Sequence, residues 1–175
     1  MKKLLLASRF RVVAEDLRLL LTGPPEKLTV LCIPTAADVY EDKWFVAADR
    51  DKFVEMGFKV VDFNLTGQTK EAVKEALAKA HIVFVSGGNT FYLLDQARKS
   101  GFTELLPEFI EKGGVYVGSS AGSYLVCPTI EASAWKNQDN NSVGLTDFTA
   151  INLVPFLLFV HYKDEYLDIA KQGIT

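Results

Sequence analysis

Short apolar runs alternate along this chain with longer segments in which apolar residues recur at helical spacing. The apolar runs predict strands, and the segments between them predict helices. The predicted strands are 4–7, 28–33, 58–63, 82–85 and 115–117, and the predicted helices are 10–21, 43–56, 69–80, 90–99 and 103–111. Because the strand runs are hydrophobic almost throughout, both faces of the sheet must be covered by helices. The pattern predicts an α/β fold of three layers around a doubly wound, mostly parallel sheet.

The pattern loosens beyond residue 128. Residues 136–142 form a polar stretch that predicts a surface loop, and residues 163–171 predict a last helix. The apolar run 151–162 contains Pro155 and therefore predicts an edge strand or a bent strand. With 175 residues and no linker, the chain is predicted to be a single domain over 1–175.

Residues 118–122, which read GSSAG, directly follow the last predicted strand. A strand that enters a G-x-S-x-G turn and then a helix is the arrangement called a nucleophile elbow. It holds the Ser120 hydroxyl clear of the carboxyl end of the strand and leaves the N–H of Ala121 free to stabilise an oxyanion. The alternative is a tight strand-to-helix turn that serves packing alone.

A serine nucleophile needs a general base, which is usually a histidine. The chain has two histidines. His81 precedes a predicted strand and so lies at the amino edge of the sheet, whereas ligands of open α/β sheets bind at the carboxyl edge. His161 ends an apolar run and is predicted to emerge at the carboxyl edge. We therefore predict that His161 is the base and that His81 is structural.

A glycine-rich turn follows the predicted strand 82–85 and emerges at the same edge. Gly87 and Gly88 permit close approach of the backbone, and Asn89 opens the next helix, whose free N–H groups suit an anion. Beside the elbow, the N–H of Gly88 is a candidate second donor to the oxyanion. Without the elbow, the turn would predict only a capped helix start.

Composition excludes several classes of function. The net charge is −3, and no cluster of lysine or arginine marks a nucleic-acid surface. No apolar run approaches the roughly 18 residues of a membrane span. Two isolated cysteines suit a reducing cytoplasm. No metal site, dinucleotide fingerprint or P-loop is present, so we expect neither a metal nor a cofactor.

Three sequence segments together resemble the dipeptidase E family of serine peptidases. They are GGNTF at 87–91, GSSAGS at 118–123 with CPTI at 127–130, and the Pro-Phe pair at 155–156 ahead of the second histidine. The resemblance implies a fold like that of class I glutamine amidotransferases, which is flavodoxin-like. It implies a cytoplasmic exopeptidase without a cofactor that releases N-terminal aspartate from short peptides. Ser120 would be the nucleophile, His161 the base, and Gly88 with Ala121 the oxyanion hole.

The chain departs from that family at several points. Trp135 stands where the family often carries an aspartate, and the family's basic contact for the substrate aspartate is not recognisable. Family members also continue past residue 175, so we expect that the triad acid lies beyond this chain and that its activity is weak. Among the internal acids, Asp139 is the best alternative.

Two other functions remain open. One is a hydrolase of another amide or ester on the same fold, such as a cyanophycinase-like isoaspartyl peptidase. The other is a catalytically impaired relative that binds small peptides. A monomer and a homodimer are both compatible with the sequence.

Overall fold

Five parallel strands build the sheet in the part of the chain that the computed structural model describes, which is residues 1–135 and 139–173. The strands are β1 (Lys3–Ala7), β2 (Thr29–Ile33), β3 (Lys59–Asp62), β4 (Ile82–Val85) and β5 (Val115–Ser119). Their order across the sheet is β1-β5-β4-β2-β3. Strands β2 to β5 thus follow the order of the first four strands of a flavodoxin-like sheet, and β1 occupies the fifth position.

Helices connect the strands and cover both faces of the sheet. The α-helices of the described residues are α1 (Phe10–Val13), α2 (Trp44–Glu55), α3 (Lys70–Ala78), α4 (Thr90–Lys99), α5 (Phe102–Glu111), α6 (Ala121–Tyr124), α7 (Glu131–Ala134) and α8 (Leu167–Gly173). Short 3₁₀ helices occupy Ala14–Leu20, Pro25–Lys27, Thr35–Ala37 and Asp164–Tyr166.

Side chains of the central strands alternate between two hydrophobic cores, as the pleat of a strand requires. Val83 and Val85 pack with helices α3 to α6 on one face. Ile82 and Phe84 pack on the other face with α1, α2 and the 3₁₀ helix between them. The α/β architecture predicted from the apolar runs is therefore confirmed.

Two predicted elements differ from the structure. The helix predicted at 10–21 is a single α-helical turn followed by the 3₁₀ helix Ala14–Leu20. The strand predicted at 151–162 is wrong, because this segment is irregular and passes through bends. Its backbone N–H groups bond to the turn that follows α6 instead of to a strand, as in the bond from Leu153 N–H to the Val126 carbonyl at 2.8 Å. Residues 136–138 of the predicted polar loop lie outside the described residues.

Candidate active site

Ser120 lies in the turn between β5 and α6, at the carboxyl edge of the sheet. Its backbone has φ 52° and ψ −108°, a conformation that a non-glycine residue adopts only when its surroundings impose it. The Ser120 N–H donates to the carbonyl of Ala7 at the end of β1, at 2.8 Å. This is the geometry predicted for a nucleophile elbow.

Two glycines make this turn possible because each faces another backbone segment. A Cβ at Gly118 would lie 2.7 Å from the carbonyl carbon of Gly122, and a Cβ at Gly122 would lie 2.2 Å from the carbonyl oxygen of Val85. The Tyr116 hydroxyl donates to the Gly122 carbonyl at 2.6 Å and fixes the first turn of α6 from below. The spacing of small residues in the sequence is therefore a packing requirement.

His161 meets Ser120 across the turn. Its Nε2 lies 3.0 Å from Ser120 Oγ, within hydrogen-bond distance. The His161 backbone has φ 53°, and its N–H donates to Ser8 Oγ at 3.0 Å. The preceding residue, Val160, is buried and its N–H donates to the Tyr124 hydroxyl. Although the predicted strand is absent, the irregular segment brings the histidine to the predicted edge.

Two backbone N–H groups beside Ser120 have no acceptor among the described hydrogen bonds. One belongs to Ala121, the first residue of α6, and the other belongs to Gly88. Gly88 has φ 141°, and a Cβ there would lie 2.2 Å from the Ala36 carbonyl oxygen, so this position requires glycine. Gly87 packs against Ser120, since a Cβ at Gly87 would lie 3.2 Å from the Ser120 Cβ.

Asn89 caps helix α4 and also ties the loop after α7 to the site. Its side-chain oxygen accepts from Tyr92 N–H at 2.9 Å, and its amide nitrogen donates to the Asn140 carbonyl at 2.8 Å. Asp139 Oδ2 accepts from the N–H of Thr90 at 2.9 Å. A carboxylate at a helix N-terminus is favourably placed in the helix dipole. The structure thus brings Asp139 to the candidate site, where its carboxylate contacts the first residue of α4.

An open cavity of about 570 Å³ lies at the carboxyl edge of the sheet, and its lining includes Ser120, His161, Gly87, Gly88 and Asp139. Its walls also carry three aromatic side chains in edge contact, Tyr40, Trp44 and Phe45. Four charged residues line it besides the histidine, namely Arg9, Arg11, Asp49 and Asp139.

Arg11 and Asp49 form an ion pair between α1 and α2. Arg11 Nε lies 3.0 Å from Asp49 Oδ1, and the guanidinium lies over the Trp44 ring, 4.9 Å from its centre. Asp49 is 4 % exposed, and its burial raises the pKa of that carboxyl to about 6, an effect that the charge of Arg11 opposes without overcoming.

The other sequence candidates lie elsewhere. His81 is at the opposite edge of the sheet, where its Nδ1 accepts from Thr29 N–H at 3.1 Å, in keeping with a structural role. Cys32 and Cys127 are buried, and burial raises the pKa of the Cys32 thiol to about 12. The described residues contain no group of three or more potential metal ligands and no helix long and apolar enough to cross a membrane.

Sequence reasoning did not single out Arg9, Arg11, Tyr40 or Trp44. Arg9 does follow Ala7 and Ser8 directly at the carboxyl end of a predicted strand, which is a signal for this edge. Tyr40 comes from the loop after the 3₁₀ helix Thr35–Ala37, whose path the sequence does not predict, and Trp44 begins α2, which was predicted as a helix but without its position beside the site. Trp135, at the position where the resembled family often has an aspartate, stacks on Phe159 at 5.9 Å between ring centres.

Comparison with known proteins shows which family the chain resembles. Residues 4–172 match the model of peptidase family S51. An uncharacterized peptidase of Pasteurella multocida is 36 % identical over 164 residues, covering 94 % of this chain and 79 % of that protein. Peptidase E of an Escherichia coli strain is 39 % identical over 89 residues, which is 51 % of this chain and 37 % of that protein. A Listeria monocytogenes crystal structure described as a "Putative Peptidase E Protein" superposes with a TM-score of 0.87 at 30 % identity, covering 99 % of this chain and 86 % of the other.

Proposed function

We propose that this chain, which belongs to peptidase family S51, hydrolyses short peptides with Ser120 as the nucleophile and His161 as the general base. Membership of the family makes the chain a serine-type peptidase, similar to dipeptidase E. The observation that carries the proposed mechanism is the 3.0 Å contact between His161 Nε2 and Ser120 Oγ at the turn between β5 and α6. Nucleophile and base within hydrogen-bond reach are the signature of covalent catalysis by serine.

Acylation begins when Ser120 Oγ attacks the carbonyl carbon of the scissile peptide bond and gives its proton to His161 Nε2. The resulting tetrahedral oxyanion accepts hydrogen bonds from the N–H groups of Gly88 and Ala121, which have no other acceptor among the described residues. The protonated imidazole then donates its proton to the departing amine, the C–N bond breaks, and an acyl-enzyme remains on Ser120.

Deacylation repeats the sequence with water as the nucleophile. His161 takes a proton from the water as it attacks the ester carbonyl, and returns it to Ser120 Oγ as the acid product leaves. The imidazole must be neutral at the start of each half-reaction, so the rate should fall as the solution is acidified. The reaction uses no cofactor in this proposal.

The proposed substrates are short peptides, because the cavity of about 570 Å³ is of the size that encloses a small ligand. Release of an N-terminal residue such as aspartate would follow the specificity implied by the resemblance to dipeptidase E. Two buried cysteines, without a disulfide, are compatible with the proposed cytoplasmic location.

An active-site probe tests the proposal directly. A fluorophosphonate should form a covalent adduct with the purified chain, and peptide mapping should place that adduct on Ser120. Ser120→Ala should abolish both the label and the release of amino acids from a dipeptide library, since loss of the serine in a triad enzyme costs on the order of 10⁶ in turnover.

Two matched variants serve as controls. His161→Gln should abolish labelling, whereas His81→Gln should not, because His81 lies at the opposite edge of the sheet. An intact, folded protein that binds peptides but is not labelled would favour the peptide-binding alternative. Labelling without peptide hydrolysis would favour hydrolysis of another amide or ester.

A further inference from the structure

Two arginines and two aspartates line the cavity, but not all of these charges form ion pairs. Arg11 and Asp49 neutralise each other in their ion pair at 3.0 Å. Asp139 lies against the N-terminus of α4, where its carboxylate accepts from Thr90 N–H. Arg9 lines the same cavity and is exposed, and no acidic side chain between residues 1 and 135 or 139 and 173 pairs with it. One arginine is therefore left without a counter-ion beside the proposed nucleophile.

The backbone around Arg9 is fixed by bonds to the reacting residues themselves. The carbonyl of Ala7 accepts from Ser120 N–H at 2.8 Å, and the hydroxyl of Ser8 accepts from His161 N–H at 3.0 Å. On the other side, Phe10 N–H donates to Ser119 Oγ at 3.2 Å, and the Phe10 ring is fully buried. Arg9 thus stands between residues that are each bonded to the elbow or to the histidine.

Arg9 combines a backbone that its neighbours hold in place with a long, exposed side chain that ends in a positive charge. This combination suits recognition of an anion on a bound molecule. The guanidinium offers several N–H donors in one plane and pairs with a carboxylate through two parallel hydrogen bonds. An arginine that serves only solubility does not need a backbone held in this way, because water solvates an exposed charge wherever it lies on the surface. The neighbouring pair Arg11–Asp49 cannot take this role as readily, since its charges are already matched.

We infer that Arg9 is a specificity-determining residue that binds a carboxylate of the peptide substrate next to the scissile bond. The inference rests on the proposed function, because it takes the cavity around Ser120 to be the peptide site. A peptide offers such a carboxylate from two sources, an acidic side chain on the released residue or the free C-terminus of a dipeptide. Both present the same group to the guanidinium.

Two pairs of peptides separate these sources. Asp-Ala and Asn-Ala differ only in the charge of the side chain, and Ala-Ala and Ala-Ala amide differ in the charge of the C-terminus. Binding of each is measured by calorimetry in the Ser120→Ala background, so that the result does not depend on turnover. Turnover of the same peptides by the chain with Ser120 intact gives a second measurement.

The expected result is that one pair shows tighter binding of the charged member. In Arg9→Gln this preference should fall roughly 10- to 100-fold, as expected for the loss of a hydrogen bond between two charged groups. Arg9→Lys should restore part of it. Arg18→Gln is the matched control, because Arg18 is an exposed arginine of the next helical segment and is paired with Glu15 at 2.8 Å. It should leave both preferences unchanged.

Equal binding within both pairs, no detectable binding of any of the peptides, or a charge preference that survives Arg9→Gln would each overturn the inference. Failure of the proposed function gives a different result, which is the absence of fluorophosphonate labelling at Ser120 while the charge-dependent binding persists. Because the probe reacts at the serine, Arg9→Gln should remain labelled.

Discussion

At the scale of single residues, the elbow depends on positions that admit no side chain. We predict that Gly122→Ala destabilises the protein and stops fluorophosphonate labelling. Helix propensity alone would favour alanine by about 1 kcal/mol. The new Cβ, however, would lie 2.2 Å from the Val85 carbonyl oxygen, and overpacking of this kind typically costs about 1–3 kcal/mol. Chemical denaturation and the labelling rate measure the two effects.

Gly23→Ala is the matched control for this substitution. A Cβ at Gly23 would have no atom within 4 Å, and its backbone is not in the left-handed region. We expect unchanged labelling and a free energy of unfolding that is equal or slightly higher, since alanine restricts the unfolded chain. If both variants behaved alike, the clash with Val85 would not be what requires glycine in α6.

The placement of the candidate site residues was predictable where the local sequence dictates the geometry. Ser120 is identifiable because a strand must precede it and small residues must surround it. His161 is identifiable because only two histidines exist and His81 precedes a strand. Arg9 was not, because an arginine after a strand has no distinguishing local pattern. Its proposed role rests on the long-range bonds of its neighbours and on the charges around it, which no spacing in the sequence encodes.

At the scale of elements, two capped helices differ in whether the capping side chain also contacts a loop at the candidate site. Asn89 caps α4 and also bonds Asn140, whereas Thr69 caps α3 through a bond to Ala72 N–H at 3.2 Å. Replacement of either cap by alanine should lower stability by about 1 kcal/mol, as N-cap deletions generally do. Only Asn89→Ala should also slow labelling of Ser120, because it releases the loop from the turn that carries Gly88.

Thermal denaturation and the pseudo-first-order rate of fluorophosphonate labelling distinguish the two variants. The stability loss should be at least as large for Asn89→Ala, which also gives up the bond to Asn140, so labelling rates are compared at a temperature where both variants are fully folded. Equal labelling rates for Asn89→Ala and Thr69→Ala would contradict a positioning role for Asn89.

The elements themselves were predictable where periodicity and burial agree. The predicted bounds of β4 and α4 match the structure residue for residue, because a fully buried four-residue run and a capped amphipathic helix leave little choice. The prediction of a strand at 151–162 was wrong, because the apolar residues of this run are buried without pairing with another strand. Leu153 and Val160 belong to the same core as Tyr124 of α6, and Phe159 stacks on Trp135. The apolar character correctly indicated burial of Leu153, Val154 and Val160, but burial does not require pairing with another strand.

At the scale of the whole molecule, the core under α1 and α2 is joined to the candidate site through Phe10. Phe10 stacks on Phe53 in the core under α1 and α2, while its N–H bonds Ser119 beside the nucleophile. Arg11, the next residue, pairs with Asp49 across the same two helices at the cavity wall. Packing of this face therefore sets the position of the cavity wall, and the charge state of Asp49 is coupled to folding.

This coupling gives a prediction for the pH dependence of stability. Burial raises the pKa of Asp49 to about 6, above its ordinary value of 3.8, so the folded state favours the protonated carboxyl. The stabilisation is complete below pH 4 and is lost as the pH rises through 6, because the unfolded chain gives up its proton first. The separation of the two values corresponds to about 3 kcal/mol. Asp49→Asn cannot ionise and should lack this decline.

Urea denaturation from pH 4 to pH 7.5 measures the effect as the difference between the free energies of unfolding of Asp49→Asn and the parent chain. That difference should rise in favour of the variant by about 2.4 kcal/mol across the range, because the unfolded carboxyl is already partly ionised at pH 4, whatever the constant cost of losing the ion pair with Arg11. Asp51→Asn is the matched control, because the Asp51 side chain is 76 % exposed on the same helix and its removal should leave the profile unchanged in shape. Parallel profiles for Asp49→Asn and the parent chain would show that Asp49 ionises as easily in the folded protein as in the unfolded chain. The cavity wall would then carry a full ion pair above roughly pH 5, with no stability lost on its formation.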